Sequence, residues 1–322
     1  MQLGEQELIR AYRRMKTIRE FEERLHLEIT TGEIAGFTHL YAGQEAVAVG
    51  VCEHLRDDDY IVSTHRGHGH CIAKGCDVKG MMKEIYGRRD GLCRGKGGSM
   101  HIADINVGML GANGIVGAGA PLALGAGVAA RANGRGQVSV AFSGDGACNQ
   151  GTTFEALNMA VVLKAPVIFA FENNHYSEHT GDKYAVGGKD MASRAAAFGM
   201  LSRKANGCDF FAVHDVMTEV VRHCREGKGP AAVEFDTERF FGHFEGDPQR
   251  YRGSGEVDRL RSTRDCLKSF RDKVLSSKSV DTRALDQIDG EVLALIDAAV
   301  KEARSAPPPE AADVTKDVYV SY

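Results

Sequence analysis

Two short polar stretches carry the clearest chemistry in this chain. Asp145 lies between Gly144 and Gly146, and after 26 intervening residues comes the pair Asn173-Asn174. Each stretch follows an apolar run, Val138 to Phe142 and Pro166 to Phe171, that reads as a buried strand, and Phe154 to Lys164 between them reads as a helix. Strand, helix and strand in this order make a right-handed unit of a parallel sheet. In such sheets ligands bind beyond the carboxyl ends of the strands, where Asp145 and Asn174 each offer an oxygen. The flanking glycines let backbone come near a ligand, and the start of the next helix favours an anion. A hard cation would link these oxygens to a phosphate. Mg2+ takes few protein oxygens alongside phosphate and water, so two side chains and one backbone carbonyl would serve it, and a diphosphate-bearing cofactor is the matching ligand. Taken alone, the same residues also suit a helix cap at Asp145 and a turn at Asn173-Asn174.

The surrounding pattern supplies the elements that must position these groups. Leu8, Tyr12, Met15, Ile18, Leu25 and Ile29 recur at helical spacing, so residues 5–31 are expected to form a helix, followed by a second over Gln44 to Leu55. Tyr60 to Thr64 is strand-like and leads into the His-rich stretch His65 to His70. Val78 to Tyr86 reads as a helix, and Gly87 to Gly114 as a long glycine-rich loop. Gly117 to Ala132 is small and apolar, a helix able to pack very closely. Val213 to Glu226 is expected as helix, Ala231 to Phe235 as strand, Tyr251 to Gly255 as a polar loop, and charged helices continue to about Arg304. Pro307-Pro308-Pro309 breaks the chain. The expected organisation is one unit over residues 1–306 and a short tail over 307–322. The fold class is α/β, a mostly parallel sheet with helices on both faces and helical N- and C-terminal extensions.

Composition narrows the function. The chain has 322 residues, of which 43% are hydrophobic, enough for a substantial core. A net charge of −4 gives no strong pull toward nucleic acid or an anionic membrane. Without a run of eighteen apolar residues or an apolar start, neither a membrane span nor a signal peptide is expected. The eight cysteines are scattered with no CxxC pair, so they read as reduced thiols of a cytoplasmic protein. Cys71 and Cys76 lie near His65, His68 and His70, but the paired ligand spacing of structural zinc is missing. The 38 glycines crowd between Gly87 and Gly151, as expected where backbone must approach something closely. Gly91-x-x-x-Gly95-Lys96-Gly97 is one residue short of a Walker loop and lacks its hydroxyl residue. Gly114-x-x-Gly117-x-Gly119 reverses the dinucleotide fingerprint, and GxSxG is absent.

With Gly144-Asp145-Gly146 and Asn173-Asn174, four further motifs resemble the alpha subunits of thiamine-diphosphate-dependent 2-oxo-acid dehydrogenases. They are His39 to Ala46 (HLYAGQEA), Thr64 to Gly69 (THRGHG), Gly95 to His101 (GKGGSMH) and Gly111 to Gly117 (GANGIVG). The resemblance runs in order from about residue 5 to 255. The form His65 to His70 and the opening Tyr12 to Glu22 look most like acetoin dehydrogenase alpha subunits. It implies that Asp145, Asn174 and the carbonyl of Tyr176 hold Mg2+, and that Arg66 and His243 meet the diphosphate, with Gly144 and Gly146 beside it. Gly114 and Val116 would line the aminopyrimidine, Val116 also propping the bent cofactor. His39 is placed either near the reacting centre or in the core as a structural histidine.

Two departures from the pyruvate branch stand out. Animal pyruvate dehydrogenases carry a regulatory serine directly after the position of His243, where this chain has Phe244, and pyruvate enzymes usually carry Tyr where this chain has His65. The resemblance also implies a missing half. Only the diphosphate-binding part of the site is recognisable, so the activating glutamate is expected from a beta subunit in an assembly of two alpha and two beta chains. The product acyl group would pass, with oxidation, to a lipoyl-bearing acyltransferase. Acetoin is the first-ranked substrate, then pyruvate and branched-chain 2-oxo acids. A split transketolase-like subunit and a cofactor-free binding module are the rival readings.

Overall fold

Alternation along the buried strands determines how this chain layers. The computed structural model describes residues 3–319. The chain begins with α1 (Glu5–Ile29) and α2 (Glu45–Cys52), then β1 (Tyr60–Val62), α3 (His68–Lys74), α4 (Val78–Ile85) and β2 (Met109–Gly111). The centre holds α5 (Gly119–Asn133), β3 (Ser139–Gly144), α6 (Gly151–Val162) and β4 (Val167–Asn173). A small hairpin follows, β5 (Tyr176–Ser177) and β6 (Thr180–Gly181), with the short helices α7 (Asp182–Ala185) and α8 (Met191–Ala197). The chain continues through β7 (Leu201–Asn206), α9 (Phe210–Arg225) and β8 (Ala231–Asp236). It ends in α10 (Glu256–Thr263), α11 (Cys266–Ser276) and α12 (Thr282–Ser305).

Six strands form one sheet in the order β2-β1-β3-β4-β8-β7, and every neighbouring pair is parallel. Val140 and Phe142 of β3, with Ile168 and Ala170 of β4, face a core built from α1, α2, α3, α9, α11 and α12. Ala141, Val167, Phe169 and Phe171 face the opposite core under α5, α6 and α8. The sheet is therefore covered on both faces, the condition under which parallel sheets are stable. Arg19 ties three helices of the first layer together, donating to Glu45 on α2 at 2.6 Å and to Asp265, the cap of α11, at 2.9 Å. Among the described residues, no helix is long and apolar enough to cross a membrane.

The expected elements are present with shifted ends, while α3, β2, the β5–β6 hairpin, α7, α8 and β7 lie in stretches to which no element was assigned. α9 starts at Phe210 instead of Val213 because the Asp209 side chain accepts from the N–H groups of Phe211 and Ala212 and caps it earlier. β2 lies inside the stretch read as loop; three residues framed by glycines carry no periodic signal, and pairing with β1 makes them a strand. β7 was missed because it is an edge strand with Arg203 and Lys204 in its middle, held by β8 on one side. The segment after the proline break is docked: Pro307 accepts from Arg89 N–H at 3.0 Å, and Glu310 pairs with the Arg89 guanidinium.

The small-residue helix α5 packs by backbone contact at one point. A Cβ added at Gly127 would meet Val167 Cγ2 at 2.4 Å, whereas one added at Gly125 meets nothing within 4 Å. Gly127→Ala is therefore expected to lower the unfolding free energy by about 1–3 kcal/mol through overpacking, and Gly125→Ala to raise it by roughly 0.5–1 kcal/mol through helix propensity. Denaturant unfolding of both variants measures the contrast, and equal effects would refute the packing role.

Candidate functional site

The chain leaves β1 toward β2 on one side and returns to β3 on the other, so a crevice opens between the carboxyl ends of β1 and β3. A cavity of about 360 Å³ occupies it. Ser63 to Arg66 follow β1, Ser143 and Gly144 end β3 and Asp145 to Ala147 follow it, Asn174 and Tyr176 follow β4, and Arg239 and His243 follow β8; Gly114 to Gly117 arrive ahead of α5. The structure brings His39, Arg66, Gly114, Val116, Gly144, Asp145, Gly146, Asn174, Tyr176 and His243 into the lining of this one cavity.

Its electrostatics are incomplete within the chain. Asp145 is 2% exposed and forms no ion pair among the described residues; its partner is the Ser177 hydroxyl, which donates at 2.9 Å. Burial pushes its carboxyl above the usual range, offset in part by that hydroxyl. Asn174 donates its amide N–H to Gln44 Oε1 at 3.0 Å. Arg66 is buried with no carboxylate: its guanidinium donates to the carbonyls of Leu40 (2.6 Å) and His243 (2.8 Å). Burial and the nearby Arg239 lower its pKa to about 9. Arg239 is also buried without a carboxylate, donating to the Glu178 carbonyl and the Tyr251 hydroxyl, and its Nε has no partner.

Beneath the cavity a dense polar network fixes its floor. The Tyr41 hydroxyl donates to Glu172, and His70 bridges Ser63 at 2.7 Å and Glu172 at 3.2 Å while stacking on Phe142. His68 sits between Glu22 and Ser99. His68 and His70 are thus engaged with oxygen partners, and Cys71 and Cys76 are buried free thiols, so these four residues form no zinc centre among the described residues. Beside Asn174, His175 takes a left-handed conformation (φ 70°) and places both ring nitrogens 2.9 Å from carboxylates, Asp182 and Asp236. The bond to Asp236 leads in raising its pKa to about 9.

Sequence comparison places these features in a family. A family model described as dehydrogenase E1 component matches residues 13–312. The chain belongs to the dehydrogenase E1 component family. It is similar to the alpha subunit of acetoin:2,6-dichlorophenolindophenol oxidoreductase of Cupriavidus necator, 55% identical over 99% of this chain and 96% of the relative. The corresponding Bacillus subtilis subunit is 48% identical over 100% of this chain and 96% of its own length. The pyruvate dehydrogenase E1 component subunit alpha of Rhizobium meliloti is 40% identical over 96% and 89%. Membership in the family implies thiamine diphosphate. The cavity fits such a group: two buried guanidinium groups lack counter-ions, one buried carboxylate lacks a cation, and buried His39 Nδ1 and Arg239 Nε lack hydrogen-bond partners.

Sequence reading did not single out Arg239, which lines the cavity, or Glu84, which lies beneath the loop leading to it. Arg239 follows the end of β8, a position that could have flagged it, but it belongs to no motif. Glu84, fully buried on α4, organises the glycine-rich loop. Its carboxylate accepts the N–H groups of Cys93 (2.8 Å), Gly95 (2.8 Å), Gly97 (2.7 Å) and Gly98 (3.1 Å). A Cβ at Gly91 would come within 2.6 Å of Glu84 Cα, so only glycine fits there. The loop leads to Met100, which lines the cavity, and to His101, which lies against Gly114. On its outer side Asp317 accepts from Arg94 (2.8 Å) and Lys96 (2.9 Å).

Glu84→Ala strands four part-buried donors at once and should cost about 3 kcal/mol or more, with faster amide exchange over residues 93–98. Unchanged exchange there would mean that the loop is held by something else. A second expectation concerns pH. Burial, then Arg66, holds His39 near pKa 2, and burial, again followed by Arg66, holds His65 and His243 near 3. Unfolded histidines titrate near 6.5, so between 6.5 and about 3 the unfolded chain binds more protons. Stability should therefore fall as pH drops through 6.5, and His65→Gln should flatten that slope in thermal melts taken from pH 7 to pH 4.

Proposed function

We propose that this chain is the alpha subunit of a thiamine-diphosphate-dependent dehydrogenase that cleaves acetoin, with a beta subunit completing the site. The observation that carries this reading is the set of unpaired charges of both signs in one cavity at the switch point of the sheet. An ion-linked diphosphate satisfies both: Asp145, Asn174 and the Tyr176 carbonyl take Mg2+, and Arg66 and Arg239 take phosphate oxygens, to which guanidinium forks are suited. His243 meets the diphosphate from the segment after β8. Gly114 and Val116 present backbone to the aminopyrimidine, and Val116 supports the bent shape. When bound, thiamine diphosphate supplies a nucleophilic thiazolium carbon and an electron sink for carbon–carbon cleavage. The chain's own part is to hold that group by its diphosphate and to keep neutral imidazoles of His39 and His65 at the mouth, able to accept or return a proton at the substrate oxygen.

The glutamate that activates the aminopyrimidine comes, on this reading, from the beta subunit. Glu172 is committed to Tyr41 and His70. The seat for that subunit is the apolar surface running from Ile115 and Val116 along Leu122 and Val128 of α5 to Met159 and Val162 of α6, all exposed. Two alpha and two beta chains form the assembly, and a lipoyl-bearing acyltransferase receives the acyl group with oxidation. Acetoin ranks before pyruvate and branched-chain 2-oxo acids because the two acetoin relatives share more of the sequence than the pyruvate relative. The compartment proposed is the cytoplasm.

Asp145→Ala in the reconstituted two-subunit enzyme should keep its fold. Losing one charge-assisted interaction of about 1.5–3 kcal/mol should weaken Mg2+-dependent cofactor binding by roughly 10- to 150-fold. Calorimetry measures the affinity, and turnover on acetoin, pyruvate and branched 2-oxo acids ranks the substrates. Wild-type cofactor affinity in the variant would refute the cation assignment, and faster turnover of pyruvate than acetoin would refute the substrate.

A further inference from the structure

Three imidazoles converge at the mouth of the cavity with little else to bind. Ring centroids lie 4.5 Å apart for His39 and His65, 5.0 Å for His39 and His243, and 5.3 Å for His65 and His243. One nitrogen from each ring falls within 4.8 Å of the other two. His39 is 7% exposed and its buried Nδ1 has no hydrogen-bond partner. His243 has only a long contact, 3.4 Å from Nδ1 to Arg239 Nη1, and Arg239 keeps the Tyr251 hydroxyl at 2.7 Å if that contact is given up.

We infer that His39, His65 and His243 form a site for one divalent transition-metal ion, Zn2+ foremost, and that the ion closes the mouth of the cavity to substrate. Neutral imidazoles suit ions of borderline softness better than Mg2+, and three protein nitrogens with one open position are a common zinc arrangement. Arg66 and Arg239 repel a cation, so a phosphate anion on them strengthens the site, with one ring nitrogen of His243 turned to that anion and the other to the metal. The inference rests on the proposed function only for the source of that anion, and inorganic pyrophosphate can replace it. Asp145, Asn174 and Tyr176 offer oxygen donors and belong to a separate, harder ion.

Co2+ titrated into the two-subunit enzyme, saturated with Mg2+ and thiamine diphosphate or pyrophosphate, tests this. The expected result is one equivalent per alpha chain with the intense visible bands of a four-coordinate nitrogen site. Zn2+ should displace it, and turnover should be lost with the first equivalent of Zn2+ and restored by a chelator. His39→Ala and His65→Asn should each abolish the bands, with His243→Asn as a third variant if either fails to fold by circular dichroism. Absence of the bands in the wild type, or their survival in folded variants, overturns the inference. Bands with pyrophosphate but no thiamine diphosphate binding by calorimetry would retain the metal site and sink the functional reading instead.

Discussion

A charged group buried without a partner is among the most costly things a fold can contain. This chain holds three of them around one cavity: the Asp145 carboxylate and the Arg66 and Arg239 guanidinium groups. They do not neutralise one another by contact, since none forms an ion pair among the described residues. The arginines are instead supported by carbonyl and hydroxyl oxygens, which orient them without cancelling their charge. Such an arrangement sacrifices stability of the free chain for a site whose charges are fixed before the ligand arrives, so that less ordering is needed on binding.

The scaffold absorbs that cost by rigidity beneath and around the cavity. Helices cover both faces of the parallel sheet, and the ends of β1, β3 and β4 are held by their neighbours' ladders. Under the floor, Tyr41, His70, Ser63 and Glu172 satisfy one another in a closed network. At the side, His175 bonds two carboxylates and locks the turn carrying Asn174 and Tyr176. Each of the short motifs that carry the resemblance to E1 alpha subunits contributes at least one residue to the lining of the cavity.

Much of this was legible in the sequence because the chemistry sits in short contiguous motifs tied to strand ends. Gly144-Asp145-Gly146 and Asn173-Asn174 announced two adjacent strand termini, and the apolar runs before them announced β3 and β4. What was illegible depends on contacts far apart in the chain. Arg239 gains its meaning from the Glu178 carbonyl and the Tyr251 hydroxyl, which no short motif connects to it. Glu84 looks like any helical glutamate until the loop folds back over it. β7 and β2 lack an apolar period because each is an edge strand, held by one neighbour and partly exposed.

The carboxylate of Glu84 also changes what the glycine-rich loop can recognise. Loops of this composition commonly bind phosphate with a row of free backbone donors. Here the donors of Cys93, Gly95, Gly97 and Gly98 are already saturated by an internal anion. A phosphate approaching this surface meets no vacant amide at these four positions. The segment is a wall built in the shape of a phosphate trap, with the trap permanently occupied by the protein itself.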